Sequence, residues 1–71
     1  MNAKINLDTM TDVRNFTDAI SHIDEDVILK DNAGHCVNAK SLIGALYTME
    51  WADIYCSCKK DISGIILPWI V

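Results

Sequence analysis

The spacing of the apolar residues switches repeatedly along this chain between the two-residue period of a strand and the period of a helix. Ile5 and Leu7 lie two residues apart and predict a short, half-buried strand over residues 3–8. The next apolar residues follow helical spacing and predict a first helix, and these are Val13, Phe16, Ile20 and Ile23. A chain of 71 residues buries only about 60–65% of its unfolded surface, so these short elements must share one core. We expect a single domain over residues 1–71.

The middle of the chain predicts a β-hairpin. Residues 24–26 are all acidic and mark a solvated boundary after the first helix, where the helix dipole disfavours negative charge. Residues 27–30 have the β-branched composition of a strand, and residues 35–39 form the returning strand. Between them, residues 31–34 are typical of a turn, with Gly34 where a positive φ costs least.

A second helix is predicted after the hairpin, with Ser41 as its N-cap. Its apolar face is broad and consists of Leu42, Ile43, Ala45, Leu46 and Met49. Gly44 lowers the helix propensity by up to about 1 kcal/mol, which indicates a close approach to another backbone. We predict that part of this face stays exposed, since Leu42, Ile43, Leu46, Tyr47 and Met49 cannot all point inward.

The last strand is predicted where the period returns to two, with Ile54, Cys56 and Cys58 on the core side. Asp61 then either caps a short last helix or begins a coil, because Gly64 and Pro68 weaken any helix in the tail. The element order is β-α-β-β-α-β with a short terminal element. We therefore expect an α+β open-faced sandwich, in which two helices cover one face of a four-stranded antiparallel sheet.

The composition argues against several classes of partner. The formal net charge is -4 and no run of basic residues forms a stripe, so nucleic acid is not expected. The apolar C-terminal segment is far shorter than the roughly 20 residues that cross a bilayer, so no membrane span is expected. The odd number of cysteines and the lack of a secretory signal favour reduced thiols and a cytoplasmic location.

Neither a metal site nor a catalytic group is predicted, and the chain is not expected to be an enzyme. The cysteines of Cys56-x-Cys58 share the core face of a strand, whereas paired zinc ligands usually come from turns with wider spacing. They are better interpreted as small buried apolar residues. His22 and His35 are the only imidazoles, and neither lies in a recognisable motif. No cofactor is expected.

The run Val37-Asn38-Ala39-Lys40-Ser41-Leu42-Ile43-Gly44 resembles the strand-to-helix junction of HPr, the phosphocarrier protein of the bacterial sugar phosphotransferase system. The resemblance extends over residues 21–29 and 52–57, and it implies the same open-faced sandwich. HPr carries its phosphoryl group on a histidine between the first strand and the first helix. The matching position here is Thr9, with Thr11 and Asp12 at the neighbouring arginine and proline. The phosphocarrier histidine is therefore absent. The loop before the last strand is also shorter, and residues 62–71 replace a long third helix.

The resemblance implies a regulatory or protein-binding module instead of a phosphocarrier. Ser41 matches the serine that a dedicated kinase phosphorylates in many HPr proteins, and Lys40 lies beside it. A phosphate at a helix N-cap meets free amides and the positive end of the dipole. The alternative, which we weigh more heavily for Ser41, is a purely structural cap.

The partners that the resemblance implies are phosphotransferase components, a serine kinase or a transcription regulator. The predicted contact residues are Lys40, Leu42, Ile43, Leu46, Tyr47 and Met49. Two ordinary alternatives are that residues 65–71 fold over this surface, or that two copies bury it as a homodimer. Two other functions also stay open: a phosphocarrier that uses His22 or His35, and a structural domain that homo-oligomerises.

Overall fold

Short strands and helices alternate along the whole chain, which the computed structural model describes from residue 1 to residue 71. The strands are β1 (Asn2–Ile5), β2 (Val27–Lys30), β3 (Cys36–Asn38) and β4 (Ile54–Cys58). The helices are α1 (Met10–Ile20), α2 (Leu42–Tyr47) and α3 (Ser63–Ile66). Single 3₁₀ turns over Thr48–Glu50 and Leu67–Trp69 extend α2 and α3.

The four strands form one antiparallel sheet in the order β1-β4-β2-β3. Alternation sends every second side chain to the core, so that Leu29 lies beside Cys56 and Ile5 beside Ile54 on the buried face. The three helices contribute Phe16, Ala45 and Ile66 to the same core. The expected α+β open-faced architecture is therefore confirmed, and of the two alternatives for the C-terminal segment the short last helix, α3, is the one that forms.

Helix α1 begins directly after its N-cap, Thr9, whose hydroxyl accepts a hydrogen bond from the Asp12 amide at 3.1 Å. Its apolar stripe of Val13, Phe16 and Ile20 is fully buried, as predicted. The helix ends at Ile20, three residues earlier than the apolar spacing suggested. Ile23 still packs against the core although it lies outside the helix.

The hairpin matches its sequence prediction closely. β2 has the predicted bounds, and Gly34 turns the chain with a φ of 98°. β3 is shorter than predicted because the backbone at its first expected residue, His35, is held by the turn: its amide donates to Oδ1 of Asp31 at 2.8 Å.

Helix α2 starts at Leu42, directly after its N-cap Ser41. The close approach predicted at Gly44 is present, because a Cβ at that position would lie 3.2 Å from the carbonyl oxygen of Asn38. The helix therefore sits tightly on the end of the preceding strand.

The C-terminal segment packs along the outer edge of β1 and against α1. Ile62 and Ile66 enter the core, and the ring of Trp69 meets that of Phe16 edge to face at 5.3 Å. Ile70 forms an antiparallel bridge with Ile5, and the amide of Asn6 donates to the carbonyl of Trp69 at 2.8 Å. The alternative in which this segment folds over the exposed side of α2 is therefore wrong.

The longest helix, α1, has 11 residues. None of the helices has the length and apolar character required to cross a bilayer.

Two glycines provide a matched test of the turn. Gly34 has a positive φ, and a Cβ at that position would meet no atom within 4 Å, so Gly34→Ala incurs only the backbone penalty. We expect it to lower the free energy of unfolding by about 1 kcal/mol. Gly64→Ala, in α3 with equally open surroundings, should leave stability unchanged or raise it by up to about 1 kcal/mol. Urea unfolding of both variants checks this, and equal effects would contradict the conformational explanation.

Candidate functional site

Four large apolar side chains stand exposed on α2 and the 3₁₀ turn that follows it. We call them the α2 patch: Leu42, Ile43, Tyr47 and Met49. Their exposed fractions lie between 41% and 71%, whereas Ala45 of the same helix is fully buried. A helix of six residues thus has Ala45 in the core and three of its four large residues in solvent. Such a grouping of apolar side chains is typical of a protein-binding surface.

Ser41 lies at the N-terminal end of this patch and is exposed. Its Oγ accepts a hydrogen bond from the amide of Gly44 at 3.2 Å, which confirms the predicted N-cap. Its carbonyl oxygen accepts from the amide of Ala45 at 2.8 Å and so begins the helix. The hydroxyl is therefore accessible to solvent while it stabilises the first turn.

The other two predicted contact residues, Lys40 and Leu46, are half-buried and contact other parts of the fold. The ammonium of Lys40 donates a hydrogen bond to the carbonyl oxygen of Ile23, just beyond α1, and the residue is half-buried. Leu46 is half-buried and packs against the core. Lys40 thus ties the start of α2 to the end of α1, and Leu46 lies beneath the α2 patch.

The bend that enters α1 contains no imidazole. Thr9, which the resemblance to HPr would place at the phosphocarrier position, serves as the N-cap of α1. The amide of Asp8 donates to Oδ2 of Asp12 at 3.3 Å, which places a carboxylate inside the bend. His22 lies beyond the opposite end of α1, and His35 lies in the hairpin. Neither histidine lies at this bend.

A cluster that the sequence did not predict surrounds His35. Its imidazole stacks on Trp51 with ring centroids 5.6 Å apart and 21° between the planes. Its Nδ1 lies 2.7 Å from Oδ2 of Asp31. The imidazole is 62% exposed, whereas the Asp31 side chain is only 5% exposed. The four-residue spacing of Asp31 and His35 around a turn was the available signal, but nothing local places Trp51 beside them.

The electrostatics of the turn favour an ionised Asp31. Burial alone would raise the pKa of this carboxyl. Hydrogen bonds from the side chain and amide of His35, electrostatic attraction to the His35 side chain, and the amide of Ala33 together hold the pKa below its ordinary value. Asp31 is therefore a structural acceptor for the hairpin turn.

The cysteines divide into two environments. Cys56 and Cys58 are buried in the core, as predicted, and Cys36 is exposed on β3. Burial raises the pKa of the Cys56 thiol to about 11, and repulsion from Cys58 acts in the same direction. The thiol of Cys56 is accordingly neutral and unsuited to nucleophilic work. Nowhere do three ligating side chains come together in a way that suits a metal ion.

Comparison of this chain with known protein families, curated proteins and solved structures finds no match.

Because the pKa of Asp31 is lowered, we predict that its contribution to stability depends on pH. A carboxyl group whose pKa is lower in the folded state than in the unfolded state stabilises the fold at pH values above its unfolded-state pKa, which is near 4. That stabilisation is lost as the pH falls through the pKa of the folded state. Asp31→Asn should therefore lower the melting temperature at neutral pH, and the difference from the unmodified protein should shrink below about pH 4. Thermal unfolding followed from pH 2 to 7 measures this.

Asp18→Asn is the matched control, because Asp18 is exposed on α1 and its carboxylate accepts no hydrogen bond from the protein. A pH-independent difference for Asp31→Asn would contradict the assigned role of the carboxylate.

Proposed function

We propose that this chain is an HPr-like domain of the bacterial cytoplasm that has lost histidine phosphocarrier activity and binds other proteins through the α2 patch. Phosphorylation of Ser41 would control that binding. The candidate partners are phosphotransferase components, a serine kinase and a transcription regulator, so the domain would act in the regulation of sugar transport.

The exposure of the α2 patch is the observation that carries this proposal. Ile43 and Tyr47 are the most exposed of its side chains, and no segment of the chain lies over them. The segment after β4 that was available to cover the patch is instead held at β1 and α1 by Ile70 and Trp69. Complete burial of a fully exposed side chain of this size contributes about 1.5–3 kcal/mol, and each side chain of the patch, 41–71% exposed, would contribute a corresponding fraction of that against a partner.

The position of Ser41 supports a switch at the edge of the patch. A phosphate on Oγ would add nearly two negative charges beside apolar side chains that a partner has to desolvate. The amides of the first turn of α2 would still have an acceptor, so the helix would not have to unfold. Modification would therefore change the binding surface without changing the fold.

Two alternatives compete with this proposal. The geometry of His35 supports a phosphocarrier, because a hydrogen bond from Nδ1 to Asp31 leaves Nε2 with the free lone pair. The carboxylates of Asp31, Glu50 and Asp53 around the same hairpin would repel a phosphoryl dianion, and no cation lines the adjoining depression. The other alternative is a structural domain in which two copies bury the α2 patch together.

Two matched pairs of variants test the favoured proposal. Ser41→Asp and Ser41→Asn both retain an N-cap, but only the first adds charge. Ile43→Asp places a charge within the α2 patch, and Leu67→Asp does so at a similarly exposed position outside it, with 66% exposure against 71% for Ile43. Binding to the purified serine kinase and to the general phosphotransferase enzyme should weaken by at least about tenfold in Ile43→Asp and Ser41→Asp.

The control variants Leu67→Asp and Ser41→Asn should bind like the unmodified protein. Equal affinities in all four variants would contradict the proposal. Sedimentation that shows a dimer of the unmodified chain and a monomer of Ile43→Asp would favour the structural alternative.

The phosphocarrier alternative has its own measurement. Incubation with radiolabelled phosphoenolpyruvate and the general phosphotransferase enzyme should leave the chain without acid-labile label. Label that disappears in His35→Gln but persists in His22→Gln would establish His35 as an acceptor and overturn the favoured proposal.

A further inference from the structure

The face of the sheet that points away from the helices is the other uncovered surface of this molecule. Its side chains come in two rows, each crossing all four strands. The first row is Lys4, Tyr55, Lys30 and Cys36, and the second is Asn2, Ser57, Ile28 and Asn38. Tyr55 and Ser57 are half-buried, and the other side chains of the two rows are exposed. We call these eight residues the sheet face.

The charge on the sheet face is opposite to that of the whole chain. Lys4 and Lys30 are its only charged residues, whereas the chain as a whole has a formal charge of -4. Neither lysine forms an ion pair, because the one ion pair in the structure joins His35 and Asp31. Both ammonium groups are therefore available to an anionic partner.

Tyr55 places an aromatic ring between the two lysines. It is the direct cross-strand neighbour of Lys4 on one side and of Lys30 on the other. With strands about 4.8 Å apart, the Cα atoms of the two lysines are separated by about 10 Å. A shallow depression of about 460 Å³ adjoins this row and is lined by Asn2, Lys30, Asp31, Asn32, Gly34 and Tyr55. The ionised carboxylate of Asp31 also lines this depression, but it is only 5% exposed and accepts hydrogen bonds from Ala33 and His35, so the two lysines are the charges that a partner can contact directly.

We propose that the sheet face binds a short acidic peptide segment of another protein, with carboxylates on Lys4 and Lys30 and an apolar contact on Tyr55. The size of the face favours a peptide over a nucleic-acid strand. Charges are screened over about 8 Å at physiological salt, so two carboxylates within the row feel the two lysines more strongly than the acidic residues on the far side of the molecule. A long polyphosphate strand would continue past the face of a molecule only 26 × 23 × 21 Å in extent and meet its acidic remainder.

This inference goes beyond the proposed function, because the sheet face and the α2 patch lie on different sides of the sheet. A peptide could occupy the sheet face while a protein covers α2. The Ile43→Asp variant should accordingly bind an acidic peptide as the unmodified protein does, which keeps failure of one proposal distinct from failure of the other.

The test is an NMR titration of the ¹⁵N-labelled chain with a terminally blocked octapeptide of alternating Glu and Ala, at low and high salt. We expect amide shifts confined to the four strands, and weaker binding at high salt. Lys4→Gln and Lys30→Gln should each weaken binding roughly threefold, and the double variant roughly tenfold. Arg14→Gln removes one exposed positive charge from α1 and should have no effect.

Three results would overturn the inference. They are the absence of shifts at millimolar peptide, shifts that lie outside the strands, and an affinity that Arg14→Gln lowers as much as Lys30→Gln. Single-stranded octathymidylate is titrated in parallel. Tighter binding of this strand than of the peptide at the same residues would reject a peptide as the natural occupant.

Discussion

The pairing of β4 between β1 and β2 is the constraint on which the rest of the fold depends. Through it the N-terminal strand and the hairpin belong to one sheet, although residues as distant as Asn2 and Ser57 must meet. Its register is fixed by Ile54, Cys56 and Cys58, because a slip of one residue would send all three into solvent and bring Tyr55 and Ser57 into the core. The same register places Tyr55 between two lysines on the opposite face, so the core and the sheet face are specified together.

Elements whose signal is local were predictable from the sequence. The stripe of Val13, Phe16 and Ile20, the turn at Gly34 and the cap at Ser41 each depend on residues within a few positions of one another, and all three appear as expected. The close approach at Gly44 was also predictable, since a glycine inside a short helix needs a packing reason. The exposure of the α2 patch was predictable because this helix and the turn after it contain more large apolar residues than one helix face can bury.

Features that depend on distant contacts were not predictable in this way. The apolar C-terminal segment could bury its side chains on several surfaces of the domain. Its actual position is determined by the packing of Trp69 against Phe16 and by the hydrogen bonds to β1 and the residue that follows it. The stack of His35 on Trp51 joins a hairpin turn to the segment before β4. The alternation in the strands indicated which residues face outward, but the strand order was needed to show that Lys4 and Lys30 flank the same ring.

The covering of the β1 edge by the C-terminal segment also bears on function. An exposed strand edge is a template for pairing with other chains, and the bridge between Ile5 and Ile70 occupies the C-terminal end of this one. The bridge belongs to the C-terminal segment, residues 65–71, which is the segment that could otherwise have covered α2. Because a single apolar segment cannot occupy both places, protection of the edge leaves the α2 patch open. A protein that bound α2, as we propose, would therefore meet a surface that is already formed and would have little ordering entropy to overcome there.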